Sequence, residues 1–321
     1  MTHIKTFSQL SKNDATIAGG KGASLGEMTC LFGGQARSNP VPPGFVILAS
    51  AFDRFLREAD LNSRVEVELK KAKPKDFNSV DRVSNKIRTM ILEVEFPQDL
   101  ALEIQKEFTR LNARLVAVRS SATAEDSSIA SWAGELESYL NTSKKNLLIN
   151  VKKCWASLFI PRAIFYRLEK KLVRTKVSVV VQAMIQSEIS GITFTVHPVT
   201  EDRNQMIIEA GWGLGEAIVG GRITPDTYVI SKKTDKIVEK NISVQKMMIV
   251  KSKEGTIETI VPKAKQEKQK LADKQILALA KICYNIEKHY GKPQDIEWAF
   301  EHGKFYIVQS RPITTLNRLV S

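Results

Sequence analysis

Cysteine is scarce in this 321-residue chain: Cys30, Cys154 and Cys283 are its only three, and they lie far apart. That spacing supports neither a disulfide framework nor a CxxC zinc or redox site, and the sequence reads as a reduced, cytoplasmic protein. Histidine is as sparse, and His3, His197, His289 and His302 show no metal-ligand spacing. Long apolar runs are missing too; the longest, such as residues 45–49, are strand-sized, against the roughly 18 residues of a membrane span. The opening residues lack the charged-then-apolar layout of a signal peptide, so no membrane partner is expected. No low-complexity linker divides the chain and no repeat recurs at solenoid spacing. Acidic residues are outnumbered, 35 against 48 basic ones, for a formal net charge of +13. Most of that excess lies in mixed-charge stretches such as 68–75 and 263–270, which read as solvated helix faces without the aromatic interleaving of single-strand binders. Such a balance suits any polyanion and does not select nucleic acid, which is not the expected partner.

What is present is an ordinary globular mix, 43% hydrophobic and 26% charged, long enough for two or three lobes. Glycines 19, 20 and 22 precede an apolar-periodic stretch, so a glycine loop is expected to open a helix over 23–32. A strand is expected at 45–48 with Ser50 capping the next helix, then two amphipathic helices within 78–113 broken at Pro97. Residues 115–119 read as a strand running into a polar loop, 120–131, and a helix follows over 145–171, kinked at Pro161. The second half is richer in strands, at 177–185, 191–196 and 206–209, with a polar hairpin around 227–242. A long helix over 266–290 stops at Gly291, with Pro293 beyond. Helices and strands mix without regular alternation, which favours a multi-lobed α+β architecture.

Two familiar phosphate motifs fail. Gly20-Lys21 is followed by Gly22 rather than Ser or Thr, and the position a P-loop needs as its first glycine is Ala15; Gly211-Trp-Gly213 meets Glu216 where a Rossmann turn needs glycine. What remains is Lys21 among glycines at a helix start, where free N–H groups and a partial positive charge suit a phosphate; a plain solvated turn is the alternative. Arg119 at a strand end is either a bidentate phosphate ligand beside Ser120, Ser121, Thr123, Ser131 and Gly134, or a partner of Glu125 or Asp126. Residues Gln182, Ala183, Met184 and Ile185 end an apolar strand, and fit either an adenine slot or plain core. Gly211, Gly213 and Gly215 fit a mobile loop or a tight turn.

The carboxy-terminal hairpin is the most geometric case. A three-residue turn, His302-Gly303-Lys304, places Glu297 opposite Gln309 and Asp295 opposite Arg311, with Trp298 facing Val308 and Phe300 facing Tyr306 on the other side. A carboxylate and an amide oxygen so opposed can share a hard cation, with the arginine taking phosphates; an exposed polar hairpin face is the alternative.

Together these segments resemble the nucleotide-binding portion of the phosphoenolpyruvate synthase and pyruvate phosphate dikinase family, over nearly the whole chain. The resemblance is carried by Gly19-Gly-Lys-Gly-Ala-Ser-Leu-Gly26, Val41-Pro-Pro-Gly-Phe45, Val118-Arg-Ser-Ser-Ala-Thr-Ala-Glu-Asp126, Ala133-Gly134, residues 191–198 and residues 295–312. It implies an ATP-grasp fold of two α+β lobes with ATP between them, expected here as 1–185 and 186–321. It also implies that Lys21, Arg119 and Arg311 act on the phosphates, that Glu297 and Gln309 ligate Mg2+, that 182–185 lie along the adenine, and that Gly134 sits in the phosphate loop. Trp132 and Glu135-Leu136 depart from the phenylalanine and glutamines common in that loop. The implied activity is phosphoryl transfer from Mg-ATP to a histidine on another domain or chain, and ultimately to pyruvate. Rifampicin phosphotransferase shares the module, and a non-catalytic nucleotide-binding regulatory module is a further alternative. Because none of the four histidines lies in a phosphohistidine motif, the chain is expected to be an excised domain or a freestanding module, incomplete without its acceptor domain.

Overall fold

The computed structural model describes residues 2–33, 38–123, 126–127, 130–131, 137–169, 176–253 and 255–314. The architecture is α+β, and the chain divides into two compact units, Met1–Cys30 with Pro43–Met184, and Leu31–Pro42 with Ile185–Ser321.

The first unit contains β1 (Ile4–Thr6), α1 (Ala15–Leu31), β2 (Gly44–Ile47), α2 (Ala49–Glu58), α3 (Asn62–Leu69), α4 (Phe77–Glu93) and α5 (Gln98–Arg110). It continues with β3 (Val116–Ala122), the two-residue strands β4 (Asp126–Ser127) and β5 (Ala130–Ser131), β6 (Ser138–Thr142), α6 (Leu147–Ala156), α7 (Pro161–Glu169) and β7 (Val177–Ala183). Five strands form one sheet in the order β1-β2-β7-β3-β6, antiparallel at every pair. One face meets the helices: Val116, Val118 and Ala122 join Phe52, Phe55, Ile87, Val151 and Trp155 in a single buried cluster. Alternation along β3 and β7 then sends Ala117, Arg119 and Ser121, with Ser178, Val180 and Gln182 opposite them, to the other face. Strand β3 runs on to Ala122 rather than stopping at Arg119, because β7 pairs with it to the end. Ser50 does not cap α2; its hydroxyl meets His3 Nδ1 at 3.0 Å, and Leu48 holds the cap position.

The second unit contains β8 (Ile189–Phe194), β9 (Gln205–Trp212), α8 (Glu216–Val219), β10 (Asp226–Ser231), β11 (Lys236–Asn241), β12 (Met247–Lys251) and β13 (Thr256–Ile260). It ends with α9 (Lys263–Gln266), α10 (Asp273–Tyr290), β14 (Gln294–Glu301) and β15 (Lys304–Pro312). Six strands form an antiparallel sheet in the order β11-β10-β9-β8-β14-β15. Segment 31–42 belongs here, where Pro40 O accepts from Ile307 N at 2.8 Å. Helix α10 covers one face with Ile276, Leu279, Cys283 and Ile286, and Gly291 closes it in the left-handed conformation at φ 66°. The helix starts at Asp273 instead of near 266. Lys270 is drawn inward to Asp226, both side chains fully buried with Nζ–Oδ1 2.7 Å, so the backbone before Asp273 cannot continue the helical path. Tyr228 Oη and the Ser243 and Lys270 amides complete the Asp226 carboxylate at 2.7, 3.0 and 2.9 Å.

Candidate functional site

In the first unit the glycine loop is a kink rather than a free turn. Two helical stretches within Ala15–Leu31 meet at Gly19, which breaks the path at φ 70°, ψ 169°, so the helix proper restarts at Gly20 with Lys21 in its first turn. A side chain at Gly19 is strained on two counts: positive φ, and a Cβ that would lie 2.5 Å from the Ser121 carbonyl oxygen. Ser121, the next residue after Arg119 on that face of β3, acts as the missing cap from a distant strand. Its Oγ accepts from Gly22 N at 3.3 Å and donates to Ala18 O at 3.1 Å. Ser178, opposite Ser121 on β7, brings its hydroxyl to Ala18 O and to Ser121 O, the latter at 2.9 Å. The start of the helix that bears Lys21 is thereby fastened to the sheet face that carries Arg119 and Gln182.

Gln182 is buried in β7, flanked by Gly44 and Ala117. The strand stops at Ala183, two residues short of Ile185, because Ala183 N and Met184 N turn to Pro43 O (2.8 Å) and Leu115 O (3.0 Å). Those two amide protons are therefore spent within the protein. Gly134 lies outside the described residues, as do Glu125, Trp132, Glu135 and Leu136; for Asp126 and Ser131 only the backbone is described.

In the second unit the terminal hairpin has a different turn from the one expected and the same polar pairing. Glu301 pairs with Lys304 across a two-residue turn in which His302 (φ 48°) and Gly303 (φ 79°) both take positive φ, the pattern that matches strand twist. Phe300 consequently faces Phe305 and Trp298 faces Ile307, correcting the expected aromatic pairs. A bulge then leaves Val308 out of the ladder, and from there Glu297 stands opposite Gln309 and Asp295 opposite Arg311.

The bulge aligns a row across the sheet: Gln309, Glu297, Ile192, Glu209 and Thr227 are successive cross-strand partners on the face away from α10. That face is identified by the alternate row, whose Thr193, Ile208, Tyr228 and Ile296 are all fully buried. Two donors of Arg311, Nε and Nη2, converge on one oxygen of Asp295 at 2.9 and 2.7 Å. Burial pushes the Asp295 carboxyl up, with Glu297 adding to the shift and Arg311 opposing it. Glu209 is likewise pushed up, by burial first and then by Asp295. Glu209 was not among the sequence candidates, although strict alternation along β9 could have marked it as the polar-face partner of this row.

The donor set suits a small hard cation. Among the described residues no three His, Cys, Asp or Glu side chains gather as a closed metal cage. One carboxylate opposite one amide oxygen is instead the sparse protein contribution that Mg2+ accepts, since it keeps waters and takes phosphate oxygens for the rest. Gly213 (φ 89°) is held rather than loose: its carbonyl accepts from Ser187 and Ser190 at 3.0 and 2.7 Å, and Leu214 N donates to Ile249 O at 2.8 Å. His197 closes its own turn, its Nδ1 accepting from Val199 N and Thr200 N at 3.2 Å each. Among the described residues no helix is long and apolar enough to cross a membrane.

Residues 15–320 match the family described as "Pyruvate phosphate dikinase, AMP/ATP-binding domain". The chain is 45% identical over 328 residues to a probable phosphoenolpyruvate synthase of Methanocaldococcus jannaschii, which covers 99% of this chain and 27% of that protein. It is 41% identical over 364 residues to phosphoenolpyruvate synthase of Pyrococcus furiosus, covering 98% and 44%. It is 40% identical over 313 residues to rifampicin phosphotransferase of Bacillus subtilis, covering 96% and 35%. The chain spans less than half the length of each of these relatives.

Proposed function

The chain belongs to the pyruvate phosphate dikinase AMP/ATP-binding domain family, and from that premise we propose that it is the ATP-binding module of a phosphotransferase of phosphoenolpyruvate synthase type. The fold that this reading gives it is ATP-grasp. Lys21 and Arg119 bind phosphate oxygens, Gln182, Ala183, Met184 and Ile185 flank the adenine, and Arg311, steadied by Asp295, takes charge from the phosphoryl group in transfer. Glu297 and Gln309 hold Mg2+, which when bound neutralises phosphate charge and fixes the phosphate orientation. The protein's own contribution is positioning and electrostatic stabilisation, with little covalent chemistry to perform. A histidine of a separate domain or chain receives the phosphoryl group, and pyruvate is the final acceptor.

The observation that carries this reading is the bulged hairpin, which sets Glu297 opposite Gln309 and, one polar position along, an arginine already held by a carboxylate. An exposed hairpin face has no need of an arginine fixed by two donors to one oxygen. The test is incubation with radiolabelled ATP and a separately supplied phosphohistidine domain of the synthase type. Transfer of label that requires Mg2+ and is lost in Lys21→Ala and Arg311→Ala supports the proposal. Tight nucleotide binding with no transfer would make the chain a regulatory nucleotide-binding module instead. Supplying rifampicin or pyruvate with the corresponding full partner separates these two candidate acceptors.

A further inference from the structure

The second unit carries a basic pocket that the proposed ATP chemistry does not use. It has a volume of about 420 Å³, and its lining includes Arg203, Lys232, Lys233, Glu287, Lys288 and Lys292. Three of its walls come from separate places: the β8–β9 connection, the turn of the β10–β11 hairpin, and the last turns of α10 with the loop that follows. It therefore opens on the α10 side of the six-stranded sheet, whereas Glu297, Gln309 and Glu209 line the opposite face.

The floor is fixed. Lys232 N donates to Asn204 O at 2.8 Å, joining hairpin to connection, and Lys232 Nζ spans both oxygens of Glu287 at 2.8 and 2.6 Å, joining hairpin to helix. Those side chains are only 11% and 15% exposed, so the one carboxylate in the lining is consumed by the one cation beneath it. Above them Arg203, Lys233, Lys288 and Lys292 form no ion pair with a described residue. Asp202, at the edge, attracts Lys233 through space but points its oxygen at the amide and side chain of Asn204, at 2.8 and 3.0 Å. Four cations around one concavity repel one another, and part of that cost is recovered when an anion enters. Lysines at a helix C-terminus are expected for the sake of the helix dipole. Dipole compensation accounts for Lys288 and Lys292, but not for Arg203 and Lys233, which converge on the same space from two other elements.

We propose that this pocket binds a small molecule carrying two or more phosphate groups, at a site separate from that of the transferred phosphate. The volume exceeds what a single phosphate fills and falls within the range of small-ligand pockets. Tyr284, 47% exposed at the rim, offers a ring face to a base or sugar attached to those phosphates. The cations ring a cavity instead of following a stripe, which distinguishes the site from a nucleic-acid track.

The probe is inorganic tripolyphosphate, measured by equilibrium dialysis against the whole chain. To silence the other phosphate site, the parent is Lys21→Ala/Arg311→Ala, and the test variant adds Lys233→Glu and Lys292→Glu. All four positions are half-buried or exposed, and far-UV circular dichroism with thermal unfolding checks that the fold is kept. The proposal expects the parent to bind tripolyphosphate and the added pair to weaken that binding at least tenfold. Repeating the titration with a nucleoside diphosphate tells whether the ligand is a nucleotide or a bare polyphosphate; tighter binding of either than of orthophosphate is in line with the proposal. Equal tripolyphosphate binding by parent and variant overturns it. So does a variant that loses affinity only for duplex DNA or polyglutamate.

Discussion

Glu297 stands directly opposite Gln309 only because Val308 is left out of the ladder between β14 and β15. With a two-residue turn and no bulge, Glu297 would meet Val308, and Gln309 would move to the helix-covered side of the sheet. The bulge thus decides which side chains share the polar face.

If Glu297 holds a cation there, Glu297→Gln should leave the fold intact and raise the Mg2+ concentration needed for half-maximal nucleotide binding by about tenfold or more. Titrating Mg2+ against fluorescent nucleotide binding checks this. An unchanged midpoint would remove Glu297 from the metal.

Arg311 meets Asp295 through two of its fork nitrogens. Arg311→Lys keeps the charge but not the fork, and Asp295→Asn keeps the shape but weakens the hold. Phosphoryl transfer to an added histidine domain should fall about tenfold or more in the first and less in the second. Equal activity of Arg311→Lys and wild type would show that only charge matters at this position.

Gly19→Ala should destabilise the first unit by about 3 kcal/mol or more, combining positive φ with a Cβ driven into the Ser121 carbonyl. Ser121→Ala should cost about 1–2 kcal/mol by leaving Gly22 N and Ala18 O less well satisfied. Denaturant unfolding measures both. A Gly19→Ala protein as stable as wild type would contradict the kinked geometry.

Lys270→Met leaves the Asp226 carboxylate buried without its counter-charge, and should lower stability by about 3–5 kcal/mol. Asp226→Asn combined with Lys270→Met should recover part of that loss, because no charge then remains inside. Chemical denaturation of the single and double variants gives the comparison, and additive losses would argue against a coupled pair.

Glu209 is held above the usual carboxylate range by burial and by Asp295. The folded chain therefore binds that proton more tightly than the unfolded chain, and ionising it costs stability as pH rises through the folded value. Glu209→Gln should raise the melting temperature at pH 7.5, and the gain should shrink at pH values below the ordinary glutamate range of about 4.3. Paired thermal scans at the two pH values test the sign.

Period-two alternation made the polar face of the last hairpin legible from the sequence, and with it Asp295, Glu297, Gln309 and Arg311. The turn is one residue shorter than the spacing predicts, and the bulge at Val308 offsets that difference and restores the register. Nothing local announces such a bulge, because it depends on how β15 must twist along β14. The helix over 266–290 was overextended because its Lys- and Gln-rich start has good helix propensity, which a buried Lys270–Asp226 pair overrides from a distance. The cap at Lys21 was invisible for the same reason: Ser121 and Ser178 reach α1 across separations of 99 and 160 residues.

That last arrangement orders events during synthesis. The ribosome delivers Gly19 and Lys21 early, yet the hydroxyls that shape their backbone arrive only with Ser121 and then Ser178. A nascent chain that has not yet released β7 lacks the finished helix start, so maturation of this loop waits for translation to pass Ala183.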